Sequence, residues 1–110
     1  MIYISNIHKK VIRNNNVVKV YCGRPKGNQP IKYGNPHRII KEGDRDKVCD
    51  LFEKDFPIRM EDDEEFKKDI YELLEIAKSQ DIELLCFCAP CRCHTETLKR
   101  WLDYNVLNSN

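Results

Sequence analysis

The sequence predicts an α/β protein in which a small, partly parallel sheet is flanked by about three helices, resembling one half of a Rossmann fold. Two apolar segments near the N-terminus precede a long loop, two amphipathic segments follow, and a third apolar segment leads into a last amphipathic stretch. Strands that alternate with helices tend to pair in parallel. We expect one domain over residues 1–110, a common length for a single domain.

The N-terminal half contains the segments with strand character. Residues 1–5 form the first, and residues 11–12 and 17–22 are interpreted as a strand, a turn and a further strand. The three residues Asn14–Asn16 suit that turn because Asn tolerates positive φ. Residues 23–36 are rich in Gly and Pro and are therefore predicted to form a loop.

Three helices are predicted after this loop. The first begins at Asp44, a favourable N-cap residue, and ends at Pro57. The second begins in the acidic run 61–65, because acidic side chains are favourable at the positive N-terminal end of a helix dipole. After a buried strand at 82–88, the third helix runs from about residue 94 to 104, and the tail 105–110 is expected to fray. The buried stripe predicted for the second helix consists of Phe66, Ile70, Leu73, Leu74 and Ala77.

The composition argues against two classes of partner. Lys and Arg number 19 and Asp and Glu number 18, so no excess of positive charge attracts nucleic acid. No apolar run approaches the roughly 20 residues that cross a membrane, and the first residues lack the order of a signal peptide. We therefore expect a soluble cytoplasmic protein with no membrane partner. The balanced charge disfavours nucleic acid as a partner without excluding it, and the sequence leaves the oligomeric state open.

Residues 86–94 concentrate four of the six cysteines beside a histidine. Cys86, Cys88, Cys93 and His94 could supply the four ligands of a zinc ion, although adjacent Cys93 and His94 would need a sharp turn to reach one metal. Two structural alternatives are that Cys86 and Cys88 are core thiols and that Cys93 or His94 caps the third helix. A metal-free alternative makes Cys93 and His94 catalytic, because a helix N-terminus favours a thiolate.

A second group of polar residues lies around the long loop. Gly23 permits close approach of the backbone, Arg24 offers a bidentate donor, Asn35 adds an amide, and Arg45 places a cation near the start of the first helix. Each of these, taken alone, is more often an ordinary turn or surface residue. Together they predict a ligand-binding pocket for an anion.

Topology connects the two groups. Arg24 follows one predicted strand and the Cys88–His94 segment follows another. If those strands are parallel, both segments lie at the same edge of the sheet, where ligands bind in open α/β proteins. The predicted site is therefore one cleft between the Gly-Arg loop and the start of the third helix.

These motifs, taken in order, resemble a protein family found in phages and bacteria and known as domain of unknown function 4326. The resemblance covers about residues 2–104, and Cys22, Cys91 and Thr95 depart from the family pattern. It implies that the matching elements work as one unit, in the host cytoplasm if the protein is phage-encoded, and it implies no reaction. The matching segments are Val20–Pro25, Gly34–Pro36, Arg45, Cys86–Pro90 and Cys93–His94, with Asn6 near the start.

Two functions remain open at this point. In the first, the cleft binds or processes a nucleotide-like, phosphate-bearing small molecule: Arg24 and Arg45 hold the anion, Asn35 orients it, and Cys93 or His94 acts as nucleophile or acid/base. In the second, zinc stabilises a non-enzymatic module that binds protein or nucleic acid. A small inhibitor of a host factor is a third possibility. Enzymatic activity and the cofactor, with zinc as the candidate, are left undecided.

Overall fold

Three strands and three helices build the part of the chain that the computed structural model describes, which is residues 1–8, 16–23, 32–37, 41, 43–87 and 91–108. This confirms the α/β class. The strand predicted at 11–12 and most of the Gly- and Pro-rich loop lie outside these residues. In chain order the elements are β1 (Ile2–Asn6), β2 (Val18–Tyr21), α1 (Asp44–Asp62), α2 (Glu64–Ser79), β3 (Ile82–Cys86) and α3 (Thr95–Leu107).

Strand β3 lies at the centre of the sheet and pairs in parallel with both neighbours, in the order β1-β3-β2. All three described strands are thus parallel. The ladder continues past the strands, because Ile7 N donates to Cys86 O at 2.8 Å and Cys22 N donates to Leu85 O at 2.9 Å. The carboxyl ends of the three strands therefore lie at one edge, which we call the carboxyl edge. The likeness to half a Rossmann fold stays a prediction.

One face of the sheet packs against all three helices. Strand residues such as Ile82 and Leu84 join Phe52 of α1, Ile70 of α2 and Leu98 of α3 in one cluster of buried side chains. On the opposite face of β3, the buried carboxylate of Glu83 accepts a hydrogen bond from the Ser5 hydroxyl at 3.0 Å. A buried carboxylate needs such partners, because desolvation otherwise disfavours its charge.

Helix α1 is longer than the sequence predicts. It continues through Pro57 to Asp62, although an internal proline removes one backbone hydrogen bond. The exposed ring of Pro57 lies between Phe56, which is buried, and Met60, which packs against the core. These contacts offset the lost bond. The predicted N-cap is also wrong by one residue, because Gly43 (φ 94°) precedes the helix and Asp44 is its first residue.

The local sequence pattern was sufficient to predict the buried face of α2, but it did not predict the end of α3. All five apolar residues predicted for α2 are buried, and its N-cap Asp63 accepts a hydrogen bond from Phe66 N at 3.0 Å. Helix α3 continues to Leu107, so residues 105–107, which were expected to fray, are helical. Val106 packs against the core and holds this last turn. None of the described helices is long and apolar enough to cross a membrane.

The burial of α2 generates a test with two isoleucines of the same helix. Ile70 is fully buried and Ile76 is exposed. We expect Ile70→Ala to lower the free energy of unfolding by about 2–5 kcal/mol, because it leaves a cavity in the core. Ile76→Ala should change it by less than about 1 kcal/mol. Urea unfolding followed by circular dichroism measures both, and equal losses would contradict the assigned face of α2.

Candidate functional site

The carboxyl edge brings three buried thiols together. Cys22 follows β2, Cys86 ends β3, and Cys93 precedes α3, and all three are buried. Burial raises the pKa of the Cys22 thiol far above its ordinary value, and the neighbouring Cys93 and Cys86 raise it further. The end of β2 and the start of α3 are therefore neighbours, as the sequence predicts. Arg24 lies outside the described residues, so its own distance to His94 stays untested.

Cys93 and His94 face each other at the start of α3. Cys93 Sγ lies 3.4 Å from His94 Nδ1, and His94 Nε2 lies 2.8 Å from the backbone oxygen of Tyr33. Because a carbonyl oxygen only accepts hydrogen bonds, Nε2 must carry a proton. In the neutral imidazole Nδ1 is then the acceptor, and the Cys93 thiol donates to it. The ring of Phe52 packs edge-on against the imidazole at 5.0 Å between centroids and keeps it in this position.

This arrangement has the parts of an activated thiol. The imidazole is placed to accept the thiol proton and leave a thiolate, while a third group, the Tyr33 carbonyl, orients the base. The pair is also part of the architecture, since it connects the loop residue Tyr33 to α3. Cys93 is 4% exposed and His94 is 8% exposed. Both side chains are therefore largely shielded from solvent.

Glu96, which the sequence analysis missed, caps α3. Its carboxylate accepts a hydrogen bond from Cys93 N at 2.8 Å, and Glu96 N donates to Cys93 O at 3.1 Å. Only the carboxylate half of a capping box is present, because Glu96 N donates to a backbone oxygen and not to a side chain. Cys93 or His94 was predicted to cap this helix; His94 is its N-cap residue but makes no side-chain cap, and the Cys93 and His94 side chains contact each other instead. The signal for Glu96 was its spacing three residues after Cys93.

Asn35 connects the loop to α1. Its side-chain Nδ2 donates to Val48 O at 2.9 Å, and its Oδ1 accepts from His37 N at 2.9 Å. His37 Nε2 lies 2.7 Å from the carboxylate of Asp55, about two turns beyond Val48 along α1. The amide thus positions the loop that carries Tyr33. A direct role of Asn35 in ligand binding stays a prediction.

Two arginines connect the start of α1 to the segment before α3. Arg45 Nη1 donates to Arg92 O at 3.3 Å. In the other direction, Arg92 donates to the carboxylates of Asp46 at 2.9 Å and Asp50 at 2.6 Å. The guanidinium of Arg45 therefore lies at the residue immediately before Cys93. Arg92 was missed from sequence because nothing local indicates that its partners lie on α1.

The predicted zinc set is only partly described. Within the described residues, no group of three or more His, Cys, Asp or Glu side chains is arranged to hold a metal ion. Cys86, Cys93 and His94 therefore do not form such a group by themselves. The fourth proposed ligand, Cys88, lies outside the described residues.

A cavity of about 720 Å³ opens beside β2 and meets the carboxyl edge at Gly23 and Tyr33. In its wall the Arg59 guanidinium stacks on the Phe66 ring, 3.7 Å from its centroid. Burial lowers the pKa of Arg59, and its Nη1 has no hydrogen-bond partner among the described residues. The sequence analysis missed this cavity because its walls come from β2, the loop and both long helices. Its charged lining, balanced in sign, includes Lys19, Lys32, Arg59, Asp63, Glu65 and Asp69.

Comparison with known proteins supports the resemblance found in the motifs. The family model described as Domain of unknown function (DUF4326) matches residues 5–104. No curated protein and no solved structure matches the chain.

The position of Tyr33 predicts how stability depends on alkaline pH. Burial, and then the charges of Asp69, Cys22 and Glu72, raise the pKa of the Tyr33 phenol to about 12, whereas an unfolded tyrosine ionises near pH 10. Between these values the unfolded chain binds fewer protons than the folded protein, so the free energy of unfolding should fall as pH rises.

Urea unfolding at several values between pH 9 and about 11 measures this slope. Tyr33→Phe removes the ionising group and should make the slope shallower. Tyr104→Phe, which changes an exposed tyrosine of α3, is the matched control and should leave the slope as in the wild type. Identical slopes for the wild type and Tyr33→Phe would contradict the assignment.

Proposed function

Since the chain belongs to the family described as Domain of unknown function (DUF4326), whose name states no activity, we propose a function from the geometry: it binds or processes a nucleotide-like, phosphate-bearing small molecule at the carboxyl edge. The observation that carries the proposal is the Cys93–His94 pair, held by the Tyr33 carbonyl beside the end of β2. Ligands of open parallel sheets bind beyond the carboxyl ends of the strands.

Two features of this edge suit a phosphate group. Both lie near Gly23, the second residue after β2, where the Tyr21 ring packs so closely on the backbone that a Cβ would lie only 2.6 Å from the ring carbon Cζ. Helix α3 directs the positive end of its dipole to the same edge. Arg45 brings a guanidinium to the residue before Cys93. In the proposed complex Arg24 completes the anion site as a bidentate donor.

The chemistry proposed for the site begins with proton transfer from Cys93 Sγ to His94 Nδ1. The transfer leaves a thiolate and an imidazolium, and the Tyr33 carbonyl keeps its hydrogen bond from Nε2 throughout. Such a pair serves as nucleophile and as general acid/base. The near balance of 19 basic and 18 acidic residues favours a small anion over a long polyanion. The cytoplasm, of a bacterium or of a phage-infected host, is the setting that this proposal assumes.

The anion site is tested by thermal shift against AMP, ADP, ATP, NAD and ADP-ribose. A ligand at 100 times its Kd should raise Tm by at least about 5 °C, because only the folded state binds it. Arg24→Ala should abolish the shift. Arg100→Ala is the control, since Arg100 is an exposed arginine of α3 that is not assigned to the anion site and whose guanidinium donates to Glu53. The proposal is wrong if none of these compounds shifts Tm, or if both variants respond like the wild type.

The role of Cys93 is tested by protection from alkylation. The ligand found above, at ten times its Kd, should slow modification of Cys93 by iodoacetamide about tenfold, because it leaves about one molecule in ten free. Exposed Cys91 is the internal control and should react at an unchanged rate. Peptide mass spectrometry follows both thiols. Modification of Cys93 only after the protein unfolds, or at a rate that ligand does not affect, would assign Cys93 to structure alone.

A further inference from the structure

Each of the three strands ends beside an aromatic ring at the protein surface. His8 lies two residues after β1, Tyr21 is the last residue of β2, and Phe87 directly follows β3. Because β3 is central, Phe87 lies between the other two rings: its centroid is 5.3 Å from that of His8 and 6.0 Å from that of Tyr21, which it meets edge to face. We call these three residues the ring row.

The ring row is exposed rather than part of the core. Phe87 is 52% exposed and Tyr21 is 40% exposed, and neither belongs to the buried cluster under the helices. Single exposed aromatic residues are ordinary. Phe87 contacts both of the other rings, at the edge where ligands of parallel sheets bind. Such a group of neighbouring exposed rings favours a binding site over chance exposure.

Hydrogen bonds from one residue hold two of these positions in place. Asn6, the last residue of β1, donates from Nδ2 to Phe87 O at 3.2 Å and accepts from His8 N at 2.9 Å through Oδ1. The backbone on both sides of the first ring pair is therefore set before any ligand arrives. Preorganised aromatic surfaces bind planar groups at a low cost in conformational entropy.

The ring row also adjoins the proposed phosphate position. The Tyr21 phenol lies over Gly23, where an added Cβ would come within 3 Å of three of its atoms. A group bound against the rings would thus be next to Gly23.

From this juxtaposition we propose that the ring row stacks the planar base of a nucleotide, with Phe87 as its central contact. The inference rests on the proposed function and adds which part of the ligand is recognised. Stacking on aromatic side chains tolerates every base, since each base has a π face. The row should therefore distinguish nucleotides from sugar phosphates and discriminate only weakly among bases.

Isothermal titration calorimetry with AMP and with ribose 5-phosphate, which lacks the base, tests the inference. The wild type should bind AMP at least about tenfold more tightly than ribose 5-phosphate, in line with the stacking of one base. Phe87→Leu keeps an apolar side chain without a ring and should lose this advantage, while its affinity for ribose 5-phosphate stays unchanged. Tyr104→Leu, at an exposed tyrosine of α3, is the control and should bind both compounds like the wild type. An unchanged advantage for AMP in Phe87→Leu overturns the inference.

Adenosine, which carries no phosphate, separates this inference from the proposed function. Titration of adenosine should shift the ring signals of His8, Tyr21 and Phe87 in aromatic NMR spectra of the wild type. If adenosine shifts them and neither phosphate compound binds more tightly than adenosine, the ring row is supported and the phosphate site is wrong. If adenosine leaves these signals unchanged, the ring row is wrong, whether or not ribose 5-phosphate binds.

Discussion

The parallel pairing of β3 with both neighbouring strands is the constraint on which the rest of the structure depends. Ile82, Glu83 and Leu84 are buried, so the centre of this strand is covered on both faces. Parallel strands require crossovers that return the chain to the starting edge, and α1 and α2 provide the crossover from β2 to β3. As a result, every strand delivers its following residues to the carboxyl edge, where the thiols, the imidazole and the ring row are found together.

At that edge the residues of the proposed site also hold the loop and the helices together. His94 accepts a hydrogen bond from the Cys93 thiol through Nδ1 and donates one to the Tyr33 carbonyl through Nε2. Arg45 and Arg92 connect α1 to the segment before α3. A substitution at His94 would therefore disturb the position of the loop and the proposed proton transfer together. Phe87, which is exposed, allows binding to be tested with less effect on folding.

The accuracy of the sequence-based predictions followed the range of the contacts involved. The buried stripe of α2 was predictable because a 3.6-residue period and an acidic first turn are local properties. The length of α1 was not, because a proline signals an end, whereas Met60 and Phe56 pack against the core and carry the helix past it. Val106 extended α3 in the same way. Asn35 was predicted to bind a ligand, which stays a prediction, and its bond to Val48 of α1, thirteen residues away, was not foreseen.

The sequence by itself determined the α/β class and the family, because periodicity, the order of the elements and the spacing of the motifs are written along the chain. Only the tertiary structure decided how the side chains are used there. It turned Cys93 and His94 toward each other, supplied Glu96 as the helix cap and stacked Arg59 on Phe66. These contacts depend on which atoms the packing of the folded chain brings within hydrogen-bond or van der Waals distance. The spacing of residues along the sequence does not specify such distances between separate elements.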